Sequence, residues 1–288
     1  MKKITKAVFP VGGMGTRFLP ATKSIPKELL PIIDKPLIQY AVEEALEAGI
    51  TTLIFITSAT KHAISDHFDP MPDLRSKFIE QGKPHLAKKL DTLPLEIQRV
   101  FIPQGQPLGL GHAVLQAESL IEEGEMFSVL LADDFIQAAD NPLSRLIDAA
   151  YTHQKATISV EQVSDQRIGS YGVIAADSWD GDLTQVTDIV EKPKAEEAPS
   201  NFGVIGRYVL PHAVFSILRQ TEMDHNSEIQ LTDALEHLMR LNGLQAVKLS
   251  GQRFDCGSQE GFVLANLHVA MQNKQLKAQI TDYFSKYE

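Results

Sequence analysis

The chain has 288 residues, 43% hydrophobic and 22% charged, ordinary proportions for a globular protein with a sizeable core. Its formal net charge of −10 argues against nucleic acid as the main partner. The single cysteine, Cys256, excludes an intramolecular disulfide, and no apolar run approaches the roughly 18 residues of a membrane span. The apolar run after "MKK" is cut short by Pro10, Gly12 and Gly13, which is not the pattern of a secretory leader, so a cytoplasmic protein is expected.

In chain order, the apolar, β-branched runs 4–9, 52–57, 95–102 and 127–132 are expected to be buried strands. Between the first two, "PLIQYAVEEALEAG" reads as a helix, with Pro36 in its first turn and Gly49 as its stop. Ile38, Val42, Ala45 and Leu46 share one face of it. A second helix is expected over residues 111–124. This alternation predicts an α/β fold, Rossmann-like, with a mixed, mostly parallel sheet flanked by helices.

From residue 156 the pattern changes. Runs 156–163, 171–176, 183–191 and 202–209 read as strands with few helices between them, predicting a smaller mixed or antiparallel part. The stretch 192–200, "KPKAEEAPS", reads as an exposed loop. Ser227 and Gln230 read as a capping box for a helix whose core stripe is Leu231, Ala234, Leu235 and Leu238, ending at Gly243. One domain over 1–288 is expected, in two halves, 1–155 and a half that ends in helices, 156–288.

Residues 10–28, "PVGGMGTRFLPATKSIPKE", set three glycines directly after the first strand, followed by Arg17, Lys23 and Lys27. Up to Lys27 there are six basic residues and no acid, a concentration that a small polyanion would explain. Glycines alone serve a tight turn equally well. The added guanidinium and ammonium groups point to a triphosphate. The loop lacks the Gly-Lys-Ser/Thr ending of a P-loop. It also lacks the last glycine of a dinucleotide fingerprint, and no ribose-binding acid ends the second strand.

A second glycine-rich loop, "PQGQPLGLG", follows the third strand, and Asp133 and Asp134 follow the fourth. In a parallel sheet all three features emerge at the carboxyl edge, where open α/β sheets bind ligands. The acidic pair reads as a strand-end turn or as a magnesium site, since that ion takes one or two carboxylates and completes its shell with water and phosphates. The nine histidines are scattered; the nearest pair, His62 and His67, is five apart and does not read as a zinc site. His112 and Cys256 read as structural.

The stretch "GGMGTRFLPATKSIPKELLPIIDKPLIQY" resembles the signature of sugar nucleotidyltransferases, in detail the bacterial UTP–glucose-1-phosphate uridylyltransferases. The resemblance continues through "QGQPLGLGHAV", "YGVI", "VEKPK", "APSNFGVIGRYVL", "EIQLTDAL" and "FDCG", over essentially the whole chain. Glu28 in "PKELLP" favours this branch over the thymidylyltransferases, which usually carry glutamine there. The resemblance implies uridylyl transfer from UTP to glucose 1-phosphate with Mg2+, by a homodimer or homotetramer. Residue by residue, it implies Gly12 and Gly13 at the uridine, and Gln104 and Gly109 at the uracil edge. Arg17 and Lys27 would grip the triphosphate, and Asp133 and Asp255 the metal. Gly172, Glu191 and Lys192 would take the sugar and its phosphate.

Two departures and two rivals accompany that reading. Asp134 stands where the family usually has an apolar residue, so it could compete with Asp133 or assist it. Glu191 and Lys192 are consecutive at a strand end, so both reach one ligand only if the chain bends there, at a bulge or at Pro193. The rivals are a non-catalytic regulatory paralogue and a dinucleotide-dependent oxidoreductase.

Overall fold

The computed structural model describes residues 2–224 and 226–286. The four apolar runs of the first half form β1 (Lys6–Pro10), β2 (Thr52–Thr57), β3 (Gln98–Pro103) and β4 (Met126–Leu130). They lie parallel in the order β4–β1–β2–β3. Ala7, Val8 and Phe9 are all fully buried because both faces of the sheet are covered. Val8 packs toward α2 (Leu110–Leu115), while Ala7 and Phe9 pack toward α1 (Leu37–Glu47) and α3 (Pro142–His153).

The helix expected over 111–124 stops at Leu115 and is followed by a 3-10 turn, Glu118–Leu120. Val114, Ala117 and Ile121 stay buried through that change, so their helical spacing does not reveal the break.

The first half also carries β5 (Asp134–Gln137), and the second supplies β6 (Ala156–Gln162), β7 (Gly172–Ala175), β8 (Trp179–Asp180), β9 (Leu183–Gln185) and β10 (Asp188–Glu191). After these come β11 (Phe202–Pro211), β12 (Leu244–Lys248) and β13 (Gln252–Asp255). The expected strand 183–191 is two strands. Val186 N–H bonds to Leu244 and Thr187 N–H to Ala175, so the chain changes partners between them.

β11 joins the halves. It is antiparallel to β4 on one side and to β6 and β7 on the other. The result is a mixed eleven-stranded sheet with a mostly parallel core, ordered β8–β9–β12–β6–β11–β4–β1–β2–β3, with the β7/β10 hairpin attached to β11. The 155/156 boundary falls between α3 and β6. A separate antiparallel ribbon pairs β5 with β13, setting Asp134 opposite Asp255.

The remaining large helices are α4 (Leu231–Asn242), α5 (Gln259–Gln272) and α6 (Lys274–Phe284). The stripe of Leu231, Ala234, Leu235 and Leu238 is buried as expected. The capping box is not formed. Gln230 is itself the N-cap, and its amide donates to Asp224 and Glu228. The Asp224 carboxylate accepts the backbone N–H groups of Asn226 and Glu228, so this acid, not Ser227, organises the turn. Among the described residues, no helix is long and apolar enough to cross a membrane.

Candidate active site

Because β1 to β4 are parallel, their carboxyl ends share one edge, and a cleft of about 830 Å³ opens there. Gly12, Gly13, Arg17, Lys27, Gln104, Gly109, Asp133, Gly172, Glu191, Lys192 and Asp255 all line it. Residues as far apart in the chain as Gly12 and Asp255 thus meet in one cavity before any ligand is considered.

The loop after β1 coils into three short 3-10 turns, Thr16–Phe18, Ala21–Lys23 and Lys27–Leu29, which turn Arg17 and Lys27 into the cleft. A Cβ on Gly12 would stand 2.9 Å from Gln104 Oε1, so a side chain there would displace the Gln104 amide. Gln104 is fixed from behind, its N–H bonded to Thr57 O at 2.7 Å and its Nε2 lying 2.8 Å from His112 Nδ1. His112 is structural, as expected, but what it braces is Gln104. Gly109 has φ +96, and a Cβ there would meet Ile229 O at 2.7 Å.

The cationic amino-terminal segment does not act as one unit. Lys6 pairs with Glu125 at 2.8 Å and Lys2 pairs with Glu122. These lysines precede β1 or open it, whereas the cleft lies beyond its carboxyl end. Only Arg17 and Lys27 of the six basic residues line the cleft; Lys23 lines an adjoining recess of about 440 Å³.

Asp133 and Asp134 have opposite surroundings. Asp133 Oδ2 accepts from Lys27 Nζ at 2.6 Å, with both side chains about a quarter exposed, at 26% and 23%. Burial pushes the Asp133 carboxyl up, but the Lys27 ammonium and its hydrogen bond outweigh this and hold it below its ordinary range. Asp134 is buried. Its Oδ2 accepts Gly206 N–H at 2.7 Å and its Oδ1 meets Arg253 at 2.6 Å. With both oxygens engaged by the fold, Asp134 is not placed to compete with Asp133. Burial pushes its carboxyl up, against the pull of Arg253.

Asp255, at the end of β13, accepts from Arg167 Nη2 at 3.1 Å and from the Tyr171 hydroxyl at 3.2 Å on Oδ2. Its Oδ1 accepts Gly257 N–H at 3.1 Å. A Cβ on Gly257 would stand 3.0 Å from both Asp133 Oδ2 and Asp255 Oδ1, and 3.7 Å from Arg17 Nη1. The missing side chain leaves a cradle between two carboxylates and an arginine. Two carboxylates beside a cationic glycine loop suit magnesium, which needs few protein ligands. Among the described residues, no group of three or more His, Cys, Asp or Glu side chains forms a metal cluster.

The chain does bend at Glu191 and Lys192, though neither a bulge nor Pro193 makes the bend. Lys192 itself adopts φ +46, a left-handed conformation costing on the order of 1–3 kcal/mol for a residue with a side chain. Its Nζ consequently lies 3.1 Å from Glu191 Oε1, while Glu191 Oε2 accepts the Thr232 hydroxyl at 2.6 Å. Both neighbours therefore line the same cleft.

Several site residues escape a sequence reading. Arg253 links Asp134 to Glu161 and Tyr171, and its place two residues before Asp255 on one strand face was the available signal. Lys61 Nζ donates to Val11 O at 2.7 Å and pairs with buried Glu28 at 2.9 Å, tying the glycine loop to the turn that carries Lys27. From the far end of the chain, Gln259 donates to Arg17 O at 3.0 Å, and Phe262 packs edge-on against Phe18.

A glycine loop, a set of fixed cations and two carboxylates at one carboxyl edge define an α/β protein that handles phosphorylated nucleotides. The sequence profile of the nucleotidyl transferase family matches residues 6–272, and the chain belongs to that family. It is 42% identical over 283 residues to the UTP–glucose-1-phosphate uridylyltransferase of Bacillus subtilis (strain 168), covering 98% of this chain and 97% of that protein. It is 41% identical over 281 residues to UTP–glucose-1-phosphate uridylyltransferase 1 of Staphylococcus saprophyticus subsp. saprophyticus, covering 98% of each. Among solved structures, the UTP-bound UGPase from Acinetobacter baumannii superposes with a TM-score of 0.90 at 38% identity, over 99% of this chain and 100% of that one. A UDP-glucose pyrophosphorylase complexed with UDP-glucose gives 0.83 at 39% identity, over 94% and 100%.

Proposed function

We propose that the protein transfers a uridylyl group from UTP to glucose 1-phosphate, forming UDP-glucose and releasing pyrophosphate. The observation that carries this reading is the cradle at Gly257, where Asp133, Asp255 and Arg17 converge on a cleft that also holds Lys27, Glu191 and Lys192.

The reacting oxygen of a sugar phosphate is already anionic near neutral pH, because a phosphate monoester has its second pKa near 6. No general base is needed. The difficulty is to align one anion with the α-phosphorus of another, a task of positioning and charge neutralisation. Arg17 and Lys27 grip the triphosphate and stabilise the departing pyrophosphate. Lys192 takes the phosphate of the sugar, and Glu191 accepts from sugar hydroxyls beside Gly172. The backbone at Gly12 and Gly13 receives the uridine, and Gln104 with the backbone at Gly109 reads the uracil edge. Asp133 and Asp255 would hold magnesium, which when bound would supply positive charge to offset the repulsion of the phosphates. The displacement is in line, with no covalent enzyme intermediate.

We place the protein in the cytoplasm, as a homodimer or homotetramer. Exposed Val263 and Met271 on α5, with Phe284 on α6, support self-association. The test of function is pyrophosphate release, measured for four nucleoside triphosphates against several hexose 1-phosphates with Mg2+. UTP with glucose 1-phosphate is expected to give the highest kcat/KM. No release from any pair would favour the non-catalytic paralogue.

A further inference from the structure

Arg167 is left out of the roles assigned above, yet it lines the cleft and pairs with Asp255. It immediately precedes the 3-10 turn Ile168–Ser170, which leads into Tyr171 and Gly172 on the sugar side. Its guanidinium touches Asp255 Oδ2, while Arg17 approaches the cradle on the Oδ1 side of the same carboxylate. Arginines from two separate loops thus stand at this corner of the cleft, Arg167 on Asp255 itself and Arg17 on the Gly257 carbonyl at 3.4 Å.

The state of Arg167 separates it from the structural arginines nearby. The Arg253 side chain is 4% exposed and engaged by Asp134, Glu161 and Tyr171. The Arg167 side chain is 52% exposed, and among the described residues its hydrogen bonds all leave from Nη2, to Asp255 and to the Tyr171 hydroxyl at 2.6 Å. A guanidinium has five donors in a planar fork, so most of this one faces the cleft. The local need is also clear. A dianionic sugar phosphate must settle beside Asp133, Asp255 and Glu191, and the one lysine on that side, Lys192, is already drawn to Glu191.

We infer that Arg167 is a second substrate-binding arginine, which takes the phosphate of glucose 1-phosphate beside Asp255. This rests on the uridylyl transfer proposed above. In the ligand-free arrangement Arg167 offsets the charge of Asp255. With substrates present, its unused donors turn to the sugar phosphate, so that each of the two anions meets its own arginine.

The experiment uses the full-length protein and the variants Arg167→Ala, Arg167→Gln and Arg167→Lys, with initial rates measured against each substrate in turn. Loss of one charge-assisted contact is expected to raise KM for glucose 1-phosphate roughly 10- to 100-fold, with KM for UTP little changed. Arg167→Lys should recover part of the loss, because it restores the charge without the fork. Thermal unfolding should stay close to wild type because the side chain is half exposed. If wild-type protein releases no pyrophosphate, the uridylyl-transfer reading falls, and this inference with it. If wild type is active and all three variants keep its KM for glucose 1-phosphate, Arg167 alone loses its role. Equal rises in KM for both substrates, or a change confined to the Mg2+ concentration required, would show that it only guards Asp255 and would likewise overturn the inference.

Discussion

The open front of the cleft and the wall behind it carry the same kinds of charge in different states. In front, Lys27, Asp133, Lys192 and Glu191 form pairs with side chains between 22% and 48% exposed. Behind, Arg207 is 1% exposed, holds Glu44 through Nε and Nη2, and donates to the carbonyls of Leu131, Gly206 and Asp134. Front pairs can exchange partners with an incoming phosphate at little cost, because water already competes for them. Back pairs cannot, since any charge released there stays buried. The boundary runs between two adjacent residues, with Asp133 facing forward and Asp134 back. The back wall holds the turn from 131 to 134, and that turn presents Asp133.

The largest effect should come from breaking the back wall. Arg207→Met leaves Glu44 without its partner and takes one donor from each of the carbonyls of Leu131, Gly206 and Asp134, and should lower stability by about 3–5 kcal/mol. Urea unfolding would measure it, and a loss under 1 kcal/mol would mean that the wall is not rigid as described. Next comes Asp133→Asn, expected to reduce kcat by a factor on the order of 10²–10³ while leaving stability nearly intact. Asp134→Asn should do the opposite and mainly destabilise. If the two asparagine variants behave alike, the boundary has been drawn in the wrong place.

Smaller effects sharpen the front itself. Lys192→Ala should raise KM for glucose 1-phosphate roughly tenfold, and that for UTP less; equal changes would remove Lys192 from the sugar-phosphate side. The pair of Lys27 and Asp133 gives a pH test. Asp133 is held below its ordinary 3.8, so the folded protein binds fewer protons there than the unfolded chain. Its contribution to stability is therefore fully present above about pH 4 and is lost as pH falls through the lower folded-state value. Lys27 is raised from 10.5, chiefly by Asp133, so its share is present below that value and lost as pH rises beyond it. In Lys27→Met, the burial of Asp133 loses its chief counterweight and its carboxyl should titrate higher. Unfolding measured across acid pH should show the stabilising contribution lost earlier on the way down, and an unmoved acid limb would dissociate the two residues.

Much of the front was legible in the sequence, and little of the back. Gly12, Arg17 and Lys27 follow β1 directly, and Asp133 follows β4 with a short gap, so local strand patterns and the parallel-sheet rule place them together. The family resemblance then assigned Gln104, Glu191 and Asp255, which no local pattern marks. The back wall depends on pairings such as Arg253 with Asp134, 119 residues apart, and Arg207 with Glu44, 163 apart. A single sequence carries no record of such contacts. Local readings failed where a stronger neighbour intervened. Asp224 displaced Ser227 at the turn before α4, and buried Val186 kept the run 183–191 looking continuous across a change of partner strand.

Cys256 gives the smallest effect and tests the boundary from the other side. It directly follows Asp255, which lines the cleft, yet its own side chain turns inward and is 1% exposed, with Sγ 3.9 Å from Gly261 O. Burial, reinforced by the charges of Asp134, Asp133 and Asp255, pushes the thiol up to about 12. Only the thiolate is strongly nucleophilic, so the folded protein should react with a thiol reagent far more slowly than the urea-unfolded chain. Cys256→Ala should keep kcat near wild type and cost about 1 kcal/mol, the scale of a small buried truncation. Rapid labelling of the folded protein, protected by UTP, would instead put this thiol in front, and the line between working and supporting residues would then have to pass behind Cys256.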